Sequence, residues 1–148
     1  MNRIQRRRGV LQTGLALALS SALPAARACE FFTTNLRITH PWTRATPEGA
    51  SVAVVSMKFD EVTLTDRLVG VSTPVAERAE LGGVDARPDV DFVIPEGRES
   101  LLHERGTFVR LIGLKHPLQI ARTYPLTLVF ERSGAIATDL SVDYMRFD

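Results

Sequence analysis

Residues 106–118 read GTFVRLIGLKHPL. Side chains of an extended strand point alternately to its two faces. One face here carries Thr107, Val109, Leu111 and Gly113, and the other carries Phe108, Arg110, Ile112 and Leu114. Val109 and Leu111 read as core. The second face holds an arginine between Phe108 and Ile112. It is therefore either an outer face or one closed by a carboxylate, because a buried arginine without a partner is too costly. The strand runs out at Lys115-His116-Pro117, where proline favours a turn.

The same two-residue period recurs along the chain. Strands are expected at 35–39, 51–59, 66–72, 76–81, 90–94, 100–103, 107–112, 125–131 and 136–143. Turn residues separate them, as in Pro47-Glu48-Gly49, Gly82-Gly83, Pro95-Glu96-Gly97 and Ser133-Gly134. A sustained 3.6-residue apolar period is absent from 29–148. The expectation is an all-β fold of two antiparallel sheets packed as a sandwich with Greek-key connections. Trp42, placed after Pro41 and before Pro47, is expected to anchor the core with its indole N–H on a carbonyl; stacking on a ligand is the other role open to it.

The first 28 residues have a different character. Arg3, Arg6, Arg7 and Arg8 precede the uncharged apolar run 10–23, and Ala26-Arg27-Ala28 fits a small-x-small cleavage site. This is the pattern of an export signal, of Sec or twin-arginine type, and the apolar run is shorter than the ~20 residues of a membrane span. Ala26 and Arg27 disfavour lipidation of Cys29. The mature domain is then 29–148. Five of the 18 basic residues and none of the 17 acidic ones lie in the signal, which leaves 13 against 17, a net charge of −4. A mildly acidic exported domain is a poor fit to nucleic acid. Cys29 is the only cysteine, so no internal disulfide forms and stability rests on the core.

Four strings, CEFFTTNLRITHPWTRATPEGA, DRLVGVSTPVAERAEL, IPEG and GLKHPLQIARTYPLTLVFERSG, follow one another in an order and spacing that resemble the periplasmic copper chaperone PCuAC family. The resemblance runs from about Glu30 to Tyr144. It implies a cupredoxin-like β-sandwich, a periplasmic location, a Cu(I) site and copper delivery to cytochrome oxidase. For a domain of this kind acting through protein contacts, the expected partner is a copper-bearing paralogue or an oxidase-assembly factor. The family's ligand pattern is a His, a later Met, and a His-x-Met pair on one strand face. These are soft donors suited to Cu(I), and thioethers form no disulfides. By the resemblance, the first His position falls on Gly82, the His-x-Met pair falls on Phe108 and Arg110, and a further Met position falls on Ile112. None of these residues is a soft donor. Met57 and Met145 stand elsewhere.

Other candidates are scattered. Cys29, His40 and His103 are the residues that could still hold a metal, although their spacing matches no motif. A free α-amine beside the Cys29 thiol would chelate a soft metal. His40 also suits a turn position bonded to backbone, His103 a solvated loop or the rim of the ligand face, and His116 a surface turn. Asp85, Asp89 and Asp91 lack the spacing of a calcium loop and suit a solvated hairpin. Nucleophile-elbow, metalloprotease and phosphate-loop patterns are absent, so a non-enzymatic role is expected. Two functions follow. One is copper handling by a PCuAC-type domain with replaced ligands. The other is a metal-free interaction module using Phe108, Arg110 and Ile112 as its partner surface.

Overall fold

A computed structural model describes residues 29–143. Residues 1–28, where an export signal is expected, lie outside the described residues, as does Met145. Ten strands form the fold: β1 Glu30–Phe32, β2 Arg37–Thr43, β3 Val52–Asp60, β4 Asp66–Ser72, β5 Ala76–Gly83, β6 Phe92–Ile94, β7 Ser100–Leu102, β8 Thr107–Leu114, β9 Thr123–Phe130 and β10 Gly134–Val142. All nine strands expected from the period are present, and β4 has the expected bounds. Among the described residues, no helix is long and apolar enough to cross a membrane.

The strands make one curled sheet in the order β5-β8-β3-β2-β10-β9-β4-β6, with β1 beside β2 and β7 beside β3. Two layers result. Strands β5, β8 and the first half of β3 form one, and the remaining strands form the other. The chain crosses between layers from β4 to β5 and back to β6, and neighbours such as β5 with β8 and β2 with β10 are not consecutive. The pairing is antiparallel except between β10 and β2, where Ser141 faces Trp42 and Val142 faces Thr43 in parallel. The core lies between the layers. Val55, Met57, Phe59, Val109, Leu111 and Leu128 are fully buried there, and the Phe59 ring meets Phe130 edge-on at 6.0 Å.

The end of β2 and the presence of β1 differ from the sequence reading for a physical reason. Strand β2 was expected to stop at Thr39, but it continues through Pro41 and Trp42. Its pairing with β3 shifts register between Thr39 and Trp42, and His40 sits there at φ 49°. A bulge of this kind accommodates proline without breaking the ladder. The short strand β1 gave no alternation to read, because it is set by pairing with β2 rather than by its own pattern.

One anchor was invisible in the sequence. Asp66, 3% exposed, accepts bonds from the N–H groups of Arg67 (2.8 Å), Arg132 (2.8 Å) and Ser133 (3.1 Å) and from the Ser133 hydroxyl (2.7 Å). It fixes the β9–β10 turn against the start of β4. Burial alone would raise its carboxyl pKa. The donors from Arg132, Ser133 and Arg67 outweigh burial and hold it below the ordinary value. A depressed folded pKa contributes stability that is present above the unfolded value and is lost as pH falls through the folded one. Asp66→Ala leaves buried donors unsatisfied and should cost about 2 kcal/mol or more in urea unfolding. The gap between wild type and Asp66→Ala should narrow as pH falls below the carboxylate range.

Candidate functional site

The outer face of the β5-β8-β3 layer is set by register. Gly82 faces Phe108, Glu80 faces Arg110 and Arg78 faces Ile112 across β5 and β8, while Val54 faces Arg110 and Val52 faces Ile112 across β3. Phe108, Arg110 and Ile112 are all half-buried and share this face, as the alternation required.

Phe108 and Gly82 are fitted to one another. A Cβ added at Gly82 would lie 2.4 Å from the Phe108 ring, closer than any real contact. The ring therefore fills the space that a side chain at position 82 would need. Beside it, Arg110 Nε donates to Glu80 Oε1 at 2.9 Å, and Arg78 Nη1 donates to Glu80 Oε2 at 3.1 Å. Bonding from Arg78, joined by the charge of Arg110, holds the Glu80 carboxyl below its ordinary pKa. Arg110 thus has its carboxylate, one strand away. The face combines an aromatic ring, aliphatic side chains and a charge ladder of alternating sign.

A second feature borders this face. Trp42, 2% exposed, lies between His40 and Arg44: the His40 ring is near-parallel at 6.4 Å, and the Arg44 guanidinium sits 5.3 Å from the indole centroid. Arg44 donates to Glu104 through Nε and Nη2, at 3.1 and 2.8 Å. This bidentate pair crosses β3 and ties the β7–β8 turn to the end of β2. A cleft of about 190 Å³ opens beside it, lined by Trp42, Val54 and Ser56 among others. The expected burial of Trp42 is observed. Arg44 and Glu104 escaped the sequence reading because their partnership spans 60 residues; the only local signal was the two-residue spacing of Trp42 and Arg44.

The residues singled out for metal are only partly brought together. His40 N–H donates to the Cys29 carbonyl at 2.7 Å, and the Cys29 thiol lies 3.7 Å from the Ser141 hydroxyl. His40 is 9% exposed, with Nε2 3.8 Å from an Asp143 carboxylate oxygen. Burial lowers the His40 pKa, and the Asp143 charge offsets part of that. His103 instead occupies the β7–β8 turn, where its Nδ1 accepts from Arg105 N–H at 3.2 Å. Among the described residues, no group of three or more His, Cys, Asp or Glu side chains is placed to hold a metal ion. His116 bonds within its own turn, Nδ1 lying 2.9 Å from the Pro117 carbonyl. Within the acidic hairpin, Asp91 is bridged by Arg67 and Arg87, and Asp85 accepts from Thr107 at 3.1 Å.

Comparison with known proteins places this geometry. The model of the LpqE-like lipoprotein family matches residues 36–142. The copper-bound PCuAC domain from PmoF2 superposes with a TM-score of 0.71 at 24% identity, covering 77% of this chain and 97% of that one. The apo PCuAC domain from PmoF1 gives 0.70 at 26% identity, covering 77% and 98%. The Cu(I) form of DR1885 from Deinococcus radiodurans gives 0.61 at 24% identity, covering 80% and 81%. A search of curated proteins found no match. The cupredoxin-like β-fold expected from the sequence is thus shown.

The fit of Phe108 over Gly82 is testable by a double-mutant cycle. Gly82→Ala should destabilise the fold by about 1–2 kcal/mol, because the ring must leave its place. In a Phe108→Ala background the same change should be nearly neutral, so thermal melts of the four proteins should show coupling of about 1 kcal/mol.

Proposed function

The chain belongs to the LpqE-like family, which is of PCuAC type, and from that membership we propose that it acts in copper handling outside the cytoplasm by contacting a protein partner rather than by coordinating Cu(I) at the face the resemblance assigns to ligands. The family is copper chaperone-like. In this reading residues 1–28 are the export signal and 29–148 the working periplasmic domain.

One observation carries the proposal. The three positions that the resemblance gives to the first His and the His-x-Met pair hold Gly82, Phe108 and Arg110, with the ring seated over the glycine and the guanidinium bonded to Glu80. Cu(I) needs soft donors, thioether, thiolate or imidazole. This face presents none, and it places a fixed positive charge where a cation would sit. Aromatic and arginine side chains over an aliphatic surface are instead what protein contacts use. A copper-bearing protein of the same fold or an oxidase-assembly factor is the partner this reading takes.

A second reading has its own observation. Cys29 and His40 are joined by a 2.7 Å backbone bond at one end of the sandwich. A thiolate and an imidazole there would offer two soft-metal donors, making the domain a Cu(I) carrier through a site unlike the family's.

A Cu(I) competition titration of residues 29–148 against a chromophoric chelator, anaerobic and reducing, separates the two. The expected result is no one-to-one complex. A tight complex that Cys29→Ser and His40→Ala each abolish would establish the second reading and overturn the first. For the partner surface, Arg110→Glu sets a carboxylate against Glu80 and should abolish co-purification of the partner held by the wild type, with the melting temperature checked alongside. Recovery of the same partner by Arg110→Glu would count against this surface.

A further inference from the structure

Strands β2 and β3 part just past Trp42. Trp42 opposite Ser56 is the last pair between them, and residues 52–55 of β3 pair with β8 instead. The cleft of about 190 Å³ beside Arg44 and Glu104 opens in this fork. Side chains two residues apart share a strand face, so Val52, Val54 and Ser56 lie on the outer face of β3, opposite to the buried Ala53, Val55 and Met57. Trp42 stands on the same face as the partner of Ser56. Val54 and Val52 are also the residues opposite Arg110 and Ile112, so the cleft is continuous with the outer face of β8.

One polar group in the cleft is set apart. Ser56 is 2% exposed and lines the cleft. Its hydroxyl bonds no described residue, and it is not sealed off from the cleft. Buried hydroxyls are as a rule hydrogen-bonded, and one left unbonded is costly. The Thr46 hydroxyl, by contrast, is taken by the Leu118 N–H at 2.8 Å. Trp42, Val52 and Val54 give the cleft apolar walls. At its rim the charges of Arg44 and Glu104 cancel in an ion pair at 2.8 Å.

We infer that this cleft receives a tyrosine side chain of the protein partner. The choice of a protein as the source rests on the partner reading above; the choice of tyrosine rests on the cleft. An apolar cavity of ~150 Å³ holds a benzene ring, so there is room here for one phenol. The ring packs against the valines and the indole, and its hydroxyl reaches Ser56. A neutral phenol suits a rim whose charges cancel, whereas a carboxylate would meet Glu104 and an ammonium would meet Arg44. Tyrosine in a water-excluding pocket is also what the centre of a protein contact favours.

The test uses N-acetyl-tyrosine-N-methylamide, titrated into residues 29–148 and followed by NMR shifts of the Val52 and Val54 methyl groups. The phenylalanine analogue should bind about fivefold more weakly, through loss of one hydrogen bond. Ser56→Ala, its melting temperature checked alongside, should erase that difference. p-Cresol should shift the same methyl groups, and 4-methylbenzoate should bind more weakly than p-cresol. Equal affinity of the tyrosine and phenylalanine probes for the wild type would overturn the inference, as would a difference that survives Ser56→Ala. Binding of p-cresol without binding of the blocked tyrosine would show a site for a small phenol and would equally overturn it. These titrations need no partner, so their failure is distinct from that of the Arg110→Glu co-purification.

Discussion

Strand β3 must serve two layers at once, and the rest of the fold is arranged around that demand. Its first half pairs with β8, and its second half lies between β2 and β7. Its inward residues, Ala53, Val55, Met57 and Phe59, are at most 4% exposed. Burying each of the larger ones stabilises the fold by roughly 1.5–3 kcal/mol. A slip of one residue would turn all four to solvent, so the register is fixed. With β3 fixed, β8 must direct Val109 and Leu111 inward beside Val55 and Ala53. Phe108, Arg110 and Ile112 then have no choice but the outer face. The position of the candidate surface is a consequence of the core.

That outer position explains how the face could close without harm to the fold. The Phe108 ring covers Gly82, and Arg110 takes a carboxylate from the adjacent strand. Ion pairs of this exposure contribute little to stability. Their effect is local: they neutralise Glu80 and leave a ladder of alternating charge, Arg78, Glu80 and Arg110, across two strands. The acceptor that could have attracted a cation is already bonded to two guanidinium groups.

What the sequence shows of this fold is what a two-residue period can carry. Strand 107–112 was legible because Val109 and Leu111 alternate with a charged neighbour, and so was the need of Arg110 for a carboxylate. The identity of that carboxylate was not, since Glu80 is brought opposite only by the β5–β8 register. Asp66 looked like any polar residue at a strand start. Its burial depends on a turn more than 60 residues away, which no local pattern reports. His40 read as a turn residue after a strand. The bulge that keeps it inside β2 is a property of the pairing with β3, not of the string THPW. The proximity of Cys29 and His40 likewise comes from β1 lying against β2, and His103, grouped with them by residue type, belongs to another turn.

The strings that carry the family resemblance prove to be the ones that hold the scaffold. Trp42 is buried under Arg44, and Arg44 reaches Glu104 in the turn that feeds β8. Thr46, from the same string, exchanges bonds with Leu118 at 2.8 and 3.0 Å and so ties it to the string GLKHPLQ. Leu118, Leu126, Leu128 and Phe130, from that last string, are core residues. Substitution at such places removes packing or leaves buried groups unpaired, at a cost of several kcal/mol. Positions 108, 110 and 112 carry no such penalty, because they face outward on a strand whose other side does the packing. A chain of this fold can therefore hold Phe108, Arg110 and Ile112 on that face and still superpose on a copper-bound PCuAC domain. Likeness of fold here reports on the inward residues and leaves the chemistry of the outward ones open to vary.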